Sequence, residues 1–386
     1  MGLQIRTNGL SSILKSAALS KQFEISLVIS NYLITFASTC SPRFSSDQRA
    51  QGELFFDLNF MPRVPYSKPP LTFHEQLQQL KDRGLVIEKD SKCLFLLETI
   101  SYYRLSGYWY PMLQMPKSDH VFKPNSSFNA SFNLYCFDRE LRKLVTAELE
   151  KIEIAIRAKM IYVLSHEYGA FWFSDATLFS DSSKFHSTLH KITEEYNRSK
   201  EDFIASFKVK YNNPLPPSWI ILEISSFGVL SNLYQNLRPG RAKREISHHF
   251  GLDDSTFESW IHSIAYIRNV CAHHSRLWNK ALRIAPVIPN NPQKTWLSVY
   301  HTKNTNSGSI RNINNRTYYI LSMIIYFSKI INPKTKFKDK FLELLIKYPN
   351  VDTYAMGFTK NWKEEELWKV KKSFLKRIVS NWGIMK

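Results

Sequence analysis

The sequence contains little glycine and little cysteine. Only 12 of its 386 residues are glycine, and scarce glycine disfavours the tight turns of a sheet-rich architecture. Its four cysteines, Cys40, Cys93, Cys136 and Cys271, are far apart and form no CxxC pair. The chain therefore has neither a disulfide framework nor a zinc ribbon. This cysteine usage is typical of a reducing, cytoplasmic compartment.

The sequence also lacks an apolar run long enough to cross a membrane. The two longest candidates, residues 25–37 and 319–331, cover 13 residues each and are interrupted by polar side chains. A spanning helix needs ~20 apolar residues. We therefore expect no membrane partner, and we interpret residues 319–331 as a buried helix.

Acidic residues are scarce relative to basic ones. The chain has 52 Lys and Arg against 33 Asp and Glu, a formal charge of +19. Residues 1–60 hold five cations and four anions, so residues 61–386 carry +18. A basic surface attracts phosphate backbones, which predicts a polyanion such as RNA as a partner. A generally lysine-rich composition would give the same charge, and this alternative stays open.

A proline-rich segment at residues 61–70 divides the chain. Residues 1–60 show weak hydrophobic periodicity, and we leave them as an unassigned N-terminal extension. If translation begins at Met61, this extension lies upstream of the true start. We expect residues 61–386 to form the helical part of the protein.

Hydrophobic spacing predicts an all-α fold. Apolar residues recur at three- and four-residue steps, most clearly over residues 134–168, which is typical of a long amphipathic helix. Thr72 and Glu75 have the spacing of a capping box, which predicts a helix that begins at Phe73. There is no internal repeat and no convincing alternating strand pattern.

No standard catalytic motif is present. The sequence has no P-loop, GxGxxG, HExxH or GxSxG motif and no compact cluster of acidic residues. What remains is a helix predicted over residues 255–278, with Ser255 and Glu258 as a second capping box. It contains Arg268 and His273. A histidine can shuttle protons in RNA cleavage, and an arginine can stabilise a crowded phosphate.

Helical spacing separates two faces of this segment. An apolar stripe, made of Trp260, Ile264, Ile267, Cys271 and Trp278, includes His274, which we therefore predict to be partly buried. The opposite stripe is polar and cationic; its members are His262, Tyr266, Asn269, His273, Arg276 and Lys280. A solvated helix face would show the same pattern. Zinc binding by Cys271 and its neighbouring histidines would lack a fourth ligand.

Other basic residues are candidates for binding. Arg241 and Arg244 follow Pro239 and Gly240 in a predicted basic turn, and we expect them to bind RNA without cleaving it. The residues predicted to support the site or to bind RNA are Asn269, His274, Arg276, Arg241 and Arg244.

Several segments resemble a known family. They are residues 68–72, 100–109, 137–142 with 152–157, 216–237, 268–279, and 356–358 with Trp362 and Trp368. In this order and spacing, they resemble the Abi-like abortive-infection proteins of the AbiD/AbiF group, which belong to the HEPN superfamily. The segment Arg268–Asn279 is the most distinctive of them.

The resemblance implies a HEPN-like helical bundle with additional helical elements and a bacterial phage-defence or toxin role. It implies that Arg268 and His273 cut RNA without a metal or cofactor, with Asn269 as the polar residue after the arginine. It also implies a homodimer with a composite site, and a small regulatory RNA as a further partner.

The sequence therefore leads to two hypotheses. The main one is a metal-independent endoribonuclease that cleaves by attack of the ribose 2′-OH, in phage defence or as a toxin. The alternative is a non-catalytic RNA-binding or oligomerising HEPN module that senses phage infection.

Overall fold

A computed structural model describes residues 65–290, 295–303, 308 and 310–370. The chain divides into two compact units, residues 1–69 and 70–386. The account below concerns the second unit. The predictions about residues 1–60 lie outside the described residues.

Twelve α-helices and one short hairpin make up the described part of the chain. The helices are α1 (Phe73–Asp82), α2 (Asp90–Ile100), α3 (Tyr102–Trp109), α4 (Phe128–Tyr168), α5 (Ser182–Arg198), α6 (Asp202–Lys210), α7 (Ser218–Ile221), α8 (Phe227–Asn236), α9 (Arg241–His249), α10 (Asp254–Ala272), α11 (Thr317–Ile331) and α12 (Phe337–Lys347). Strands β1 (His301–Lys303) and β2 (Ile310–Asn312) pair antiparallel. The predicted all-α fold class is confirmed.

Helix α4 is the central element. Its 41 residues span about 60 Å at 1.5 Å per residue. Ser127 caps its start by accepting the Ala130 N–H at 3.1 Å, and the left-handed Gly169 follows its end. Its buried stripe packs against α3, α7, α9, α10, α11 and α12. Elements from both ends of the sequence therefore meet on one helix.

The core has two parts. The larger cluster surrounds α4, α8, α10 and α11, while a smaller one lies under α1–α3. Residues 317–328 are all buried, which confirms the predicted buried helix. Of the described helices, none is both long and apolar enough to span a bilayer.

Helix starts follow side-chain capping. The predicted capping box is confirmed, since Thr72 and Glu75 bond each other's backbone N–H groups. The second box is wrong. Helix α10 begins at Asp254 because the Asp253 carboxylate accepts the Thr256 N–H at 2.9 Å, and aspartate is as good an N-cap as serine.

Residues 218–236 form two helices, α7 and α8, because Ser226 caps a second helix. The predicted basic turn at Arg241 is instead the start of α9, which places Arg241 and Arg244 on a helix.

Candidate active site

Helix α10 carries Arg268 and Asn269 in its last turn and ends at Ala272. His273 follows as the C-cap residue, and its backbone N–H donates to the Asn269 carbonyl at 2.9 Å. His274 then adopts a left-handed conformation with φ of 55°, so the chain leaves the helix axis. The prediction that this helix continues to Trp278 is wrong.

This turn decides where the two histidines lie. Asn269, His273 and His274 are exposed. The predicted partial burial of His274 is wrong, because residues after Ala272 no longer follow helical spacing. The apolar stripe is confirmed within the helix: Trp260, Ile264, Ile267 and Cys271 are at most 4% exposed.

Arg268 is held between its own helix and α4. Its Nη1 donates to Asn269 Oδ1 at 3.4 Å, and its Nε lies 3.9 Å from Glu153 Oε2. Glu153 also accepts from Arg157 Nη2 at 2.8 Å. The Glu153 carboxylate therefore pairs with the guanidinium groups of both Arg157 and Arg268. The Arg268 side chain remains 42% exposed.

A buried carboxylate holds the turn that follows α10. Asp138 Oδ1 accepts the N–H groups of Leu277 at 3.0 Å and Trp278 at 2.8 Å. Its Oδ2 accepts from the Tyr108 hydroxyl at 2.6 Å and pairs with Arg142. Burial raises the pKa of the Asp138 carboxyl, and the Arg142 guanidinium and these donors oppose that effect. The arrangement ties α3, α4 and the turn together.

Helix α3 holds the same turn through two arginines. Arg104 Nη1 donates to the His274 carbonyl at 2.8 Å. The Arg276 guanidinium donates to the Gly107 carbonyl. Arg276 is thus partly buried against α3 and does not continue an open helical stripe, and its contact with RNA stays a prediction.

The structure does not bring Arg241 and Arg244 to this site. Both are exposed on α9, and their neighbour Lys243 pairs with Glu258 near the start of α10 at 3.2 Å. Between Glu258 and His273 the helix axis rises roughly 20 Å. A contact of these arginines with RNA would therefore lie well away from His273.

The Cys271 thiol is unreactive in this environment. Burial raises the pKa of its thiol to about 12, so the thiol stays protonated at neutral pH and is neither a nucleophile nor a ready metal ligand. Within the described ranges, no group of three or more His, Cys, Asp and Glu side chains is placed to hold a metal ion.

Of the residues that hold the turn, Arg276 was predicted as a site residue, whereas Asp138, Arg142 and Arg104 were not. Asp138 and Arg142 lie within the segment 137–142, one helical turn apart and on the same helix face as Phe137, Leu141 and Val145. Charged side chains on the buried stripe of a helix need partners. That signal alone could have indicated that both residues hold a neighbouring segment of the chain.

The model of the Abi-like protein family matches residues 95–279. Over these residues the chain is similar to the Abi-like protein family. This match supports a role in abortive infection, a form of phage defence. No curated protein and no solved structure matches the chain significantly.

The matched range contains the segments that meet at the turn. Residues 100–109 supply Arg104 and Gly107, residues 137–142 supply Asp138, and residues 268–279 form the end of α10 and the turn itself. The resembling segments at 68–72 and 356–358 lie outside the match.

Proposed function

We propose that this protein is a metal-independent endoribonuclease of the HEPN type. The observation that supports it best is the role of Asn269. Its side-chain oxygen accepts from Arg268, and its backbone carbonyl accepts from His273. Asn269 thus holds a guanidinium through its side chain and, through its backbone, the residue that carries an imidazole at the exposed end of α10.

The chemistry assigns a role to each side chain. His273 accepts the proton of the ribose 2′-OH, whose oxygen attacks the adjacent phosphorus. Arg268 stabilises the added negative charge of the pentacoordinate phosphate. The 5′-oxygen leaves and takes a proton from water, and the His273 imidazolium returns its proton to the solvent. The products are a 2′,3′-cyclic phosphate end and a 5′-OH end.

Cleavage of total RNA in the presence of EDTA tests this proposal. We expect His273→Ala to lower the rate ~10²–10⁴-fold, the usual contribution of a general acid or base. We expect Arg268→Ala to lower it ~10²–10³-fold, as for other groups that stabilise developing charge. Chemical mapping of the ends should find cyclic phosphate and 5′-OH.

Matched variants on α5 control for surface changes. His190 is an exposed helix histidine, and Arg198 is an exposed arginine in a last turn that faces Glu195 at 3.6 Å. His190→Ala and Arg198→Ala should cleave as the wild type does. Products with 5′-phosphate ends, or full activity in His273→Ala, would contradict the proposal.

A further inference from the structure

A cationic groove of about 740 Å³ lies beside the turn. Helix α4 forms one wall, the end of α2 and the start of α3 form another, and the end of α10 closes it. Ala272 and His274, the two neighbours of His273, line the groove. A ligand in it would therefore lie next to the chain segment that carries His273.

The charge of the groove is largely unneutralised. Its lining includes Arg104, Arg139 and Lys143, against one acidic residue, Glu150. Arg142 also lines it, but its charge is balanced by the buried Asp138. Within the described residues, no carboxylate oxygen lies within 4.0 Å of the cationic nitrogens of Arg139 or Lys143.

The cations are arranged along the groove. Arg139 and Lys143 are exposed and lie one turn apart on α4, about 6 Å along its axis. Arg104 stands across from them on α3, with its Nη1 fixed on the His274 carbonyl. Three cations spread over two walls of one channel favour a phosphodiester chain over an isolated anion.

The size and the walls of the groove favour a single strand. Its volume lies within the ~300–1,000 Å³ of small-molecule sites, which is too little for a duplex. Tyr135 lines it, and its ring stacks against Phe132 with the ring centroids 6.2 Å apart. A supported aromatic ring is a stacking platform for a base.

We propose that this groove binds the backbone of single-stranded RNA immediately beside the bond that His273 and Arg268 cleave. The assignment rests on the proposed function for its substrate. It adds Arg139, Lys143 and Arg104 as phosphate contacts and Tyr135 as a base contact. None of these four residues was predicted from the sequence to bind RNA.

Binding and cleavage are measured separately to test it. The probe is a fluorescein-labelled single-stranded RNA oligonucleotide with 2′-O-methyl groups, which lacks the attacking hydroxyl. Full-length protein is titrated in EDTA at several salt concentrations, and binding is followed by fluorescence anisotropy. Arg139→Gln with Lys143→Gln is compared with Lys184→Gln and Lys191→Gln, which remove the same charge from the exposed face of α5.

The groove variant should bind at least tenfold more weakly than the wild type. The slope of log affinity against log salt should fall in magnitude by about 1.4, since each lost phosphate contact on a single strand contributes ~0.7. The α5 variant should bind within twofold of the wild type. Circular dichroism of both variants should match the wild type, because all four side chains are exposed.

Three results would overturn the groove assignment. They are unchanged affinity of the groove variant, an equal loss in the α5 variant, and displacement of the probe by duplex RNA as readily as by single strands.

The proposed ribonuclease function and the groove assignment can fail independently of each other. If the groove variant loses binding but unmodified RNA is never cleaved by the wild type, the groove stands and the ribonuclease does not. If RNA is cleaved equally by both, the ribonuclease stands and the groove does not.

Discussion

At the residue scale, two glycines with nearly the same φ angle differ in their surroundings. Gly357 has φ of +91° and Gly84 has φ of +87°, both in the left-handed region. A Cβ at Gly357 would overlap the Arg316 side chain, whereas a Cβ at Gly84 would meet nothing within 4 Å. Gly357 lies in segment 356–358, one of the segments that resemble the Abi-like family. Its close approach to Arg316 leaves no room for a side chain, which accounts for glycine at that position.

We therefore expect Gly357→Ala to be the more damaging change. Gly84→Ala should lower the free energy of unfolding by about 1 kcal/mol, through backbone strain alone. Gly357→Ala should add ~1–3 kcal/mol from overpacking. Urea unfolding of the two variants measures the difference, and equal losses would show that Arg316 moves aside freely.

Single residues also explain what the sequence could reveal about the site. Arg268 and His273 could be proposed because their residue types suit RNA cleavage and the resemblance includes this pair. The exposure of His274 could not, because its left-handed backbone has no glycine or asparagine to signal it. The predicted helix included Leu277 and Trp278 because both are apolar. Both side chains are buried, but they belong to a turn and not to the helix.

At the element scale, the turn after α10 depends on a carboxylate from another helix. Leu277 and Trp278 donate their backbone N–H groups to Asp138, 139 and 140 residues away along the chain. Periodicity within a window of twenty residues cannot detect such a partner. This is why the end of α10 was placed six residues too late, although its buried stripe was predicted correctly.

Asp138→Asn should loosen this turn. The change removes the counter-charge of the buried Arg142, and loss of one partner of a buried pair costs ~3–5 kcal/mol. Urea unfolding should show that loss. Hydrogen exchange should show faster exchange of the amides of residues 274–278, since their acceptor is weakened.

A surface pair provides the control for this variant. Asp90 pairs with Lys81 at 2.6 Å, with both side chains open to solvent. Asp90→Asn should change stability by less than about 1 kcal/mol, the usual range for such pairs. If Asp138→Asn unfolds at the same urea concentration as Asp90→Asn, the buried carboxylate does not hold the turn.

At the scale of the whole molecule, scarce glycine and helical spacing were enough to predict an all-α fold. The charge of +19 predicted a polyanion but not where it binds. The cations that line the groove beside the turn come from α3 and α4, whereas the basic cluster most visible in the sequence lies at the far end of α10. The packing of α3 against α4 brings Arg104 and Arg139 to one groove. Local sequence composition cannot reveal that packing.

The composite site implied by the HEPN resemblance predicts that activity depends on self-association. Each chain presents a single Arg268–His273 turn, and we expect two copies to complete one reaction centre. The cleavage rate per protein molecule should rise with protein concentration and level off where light scattering shows a dimer. A constant rate per molecule, measured on particles of monomer mass, would contradict this.

The Thr317 hydroxyl donates to the Leu277 carbonyl at 2.7 Å, and this contact has a consequence for biosynthesis. A chain still on the ribosome has made Arg268 and His273 long before residue 317 leaves the exit tunnel. Until then the turn lacks one of its anchors and α4 lacks the face of α11. The turn that carries His273 is therefore completed only late in translation.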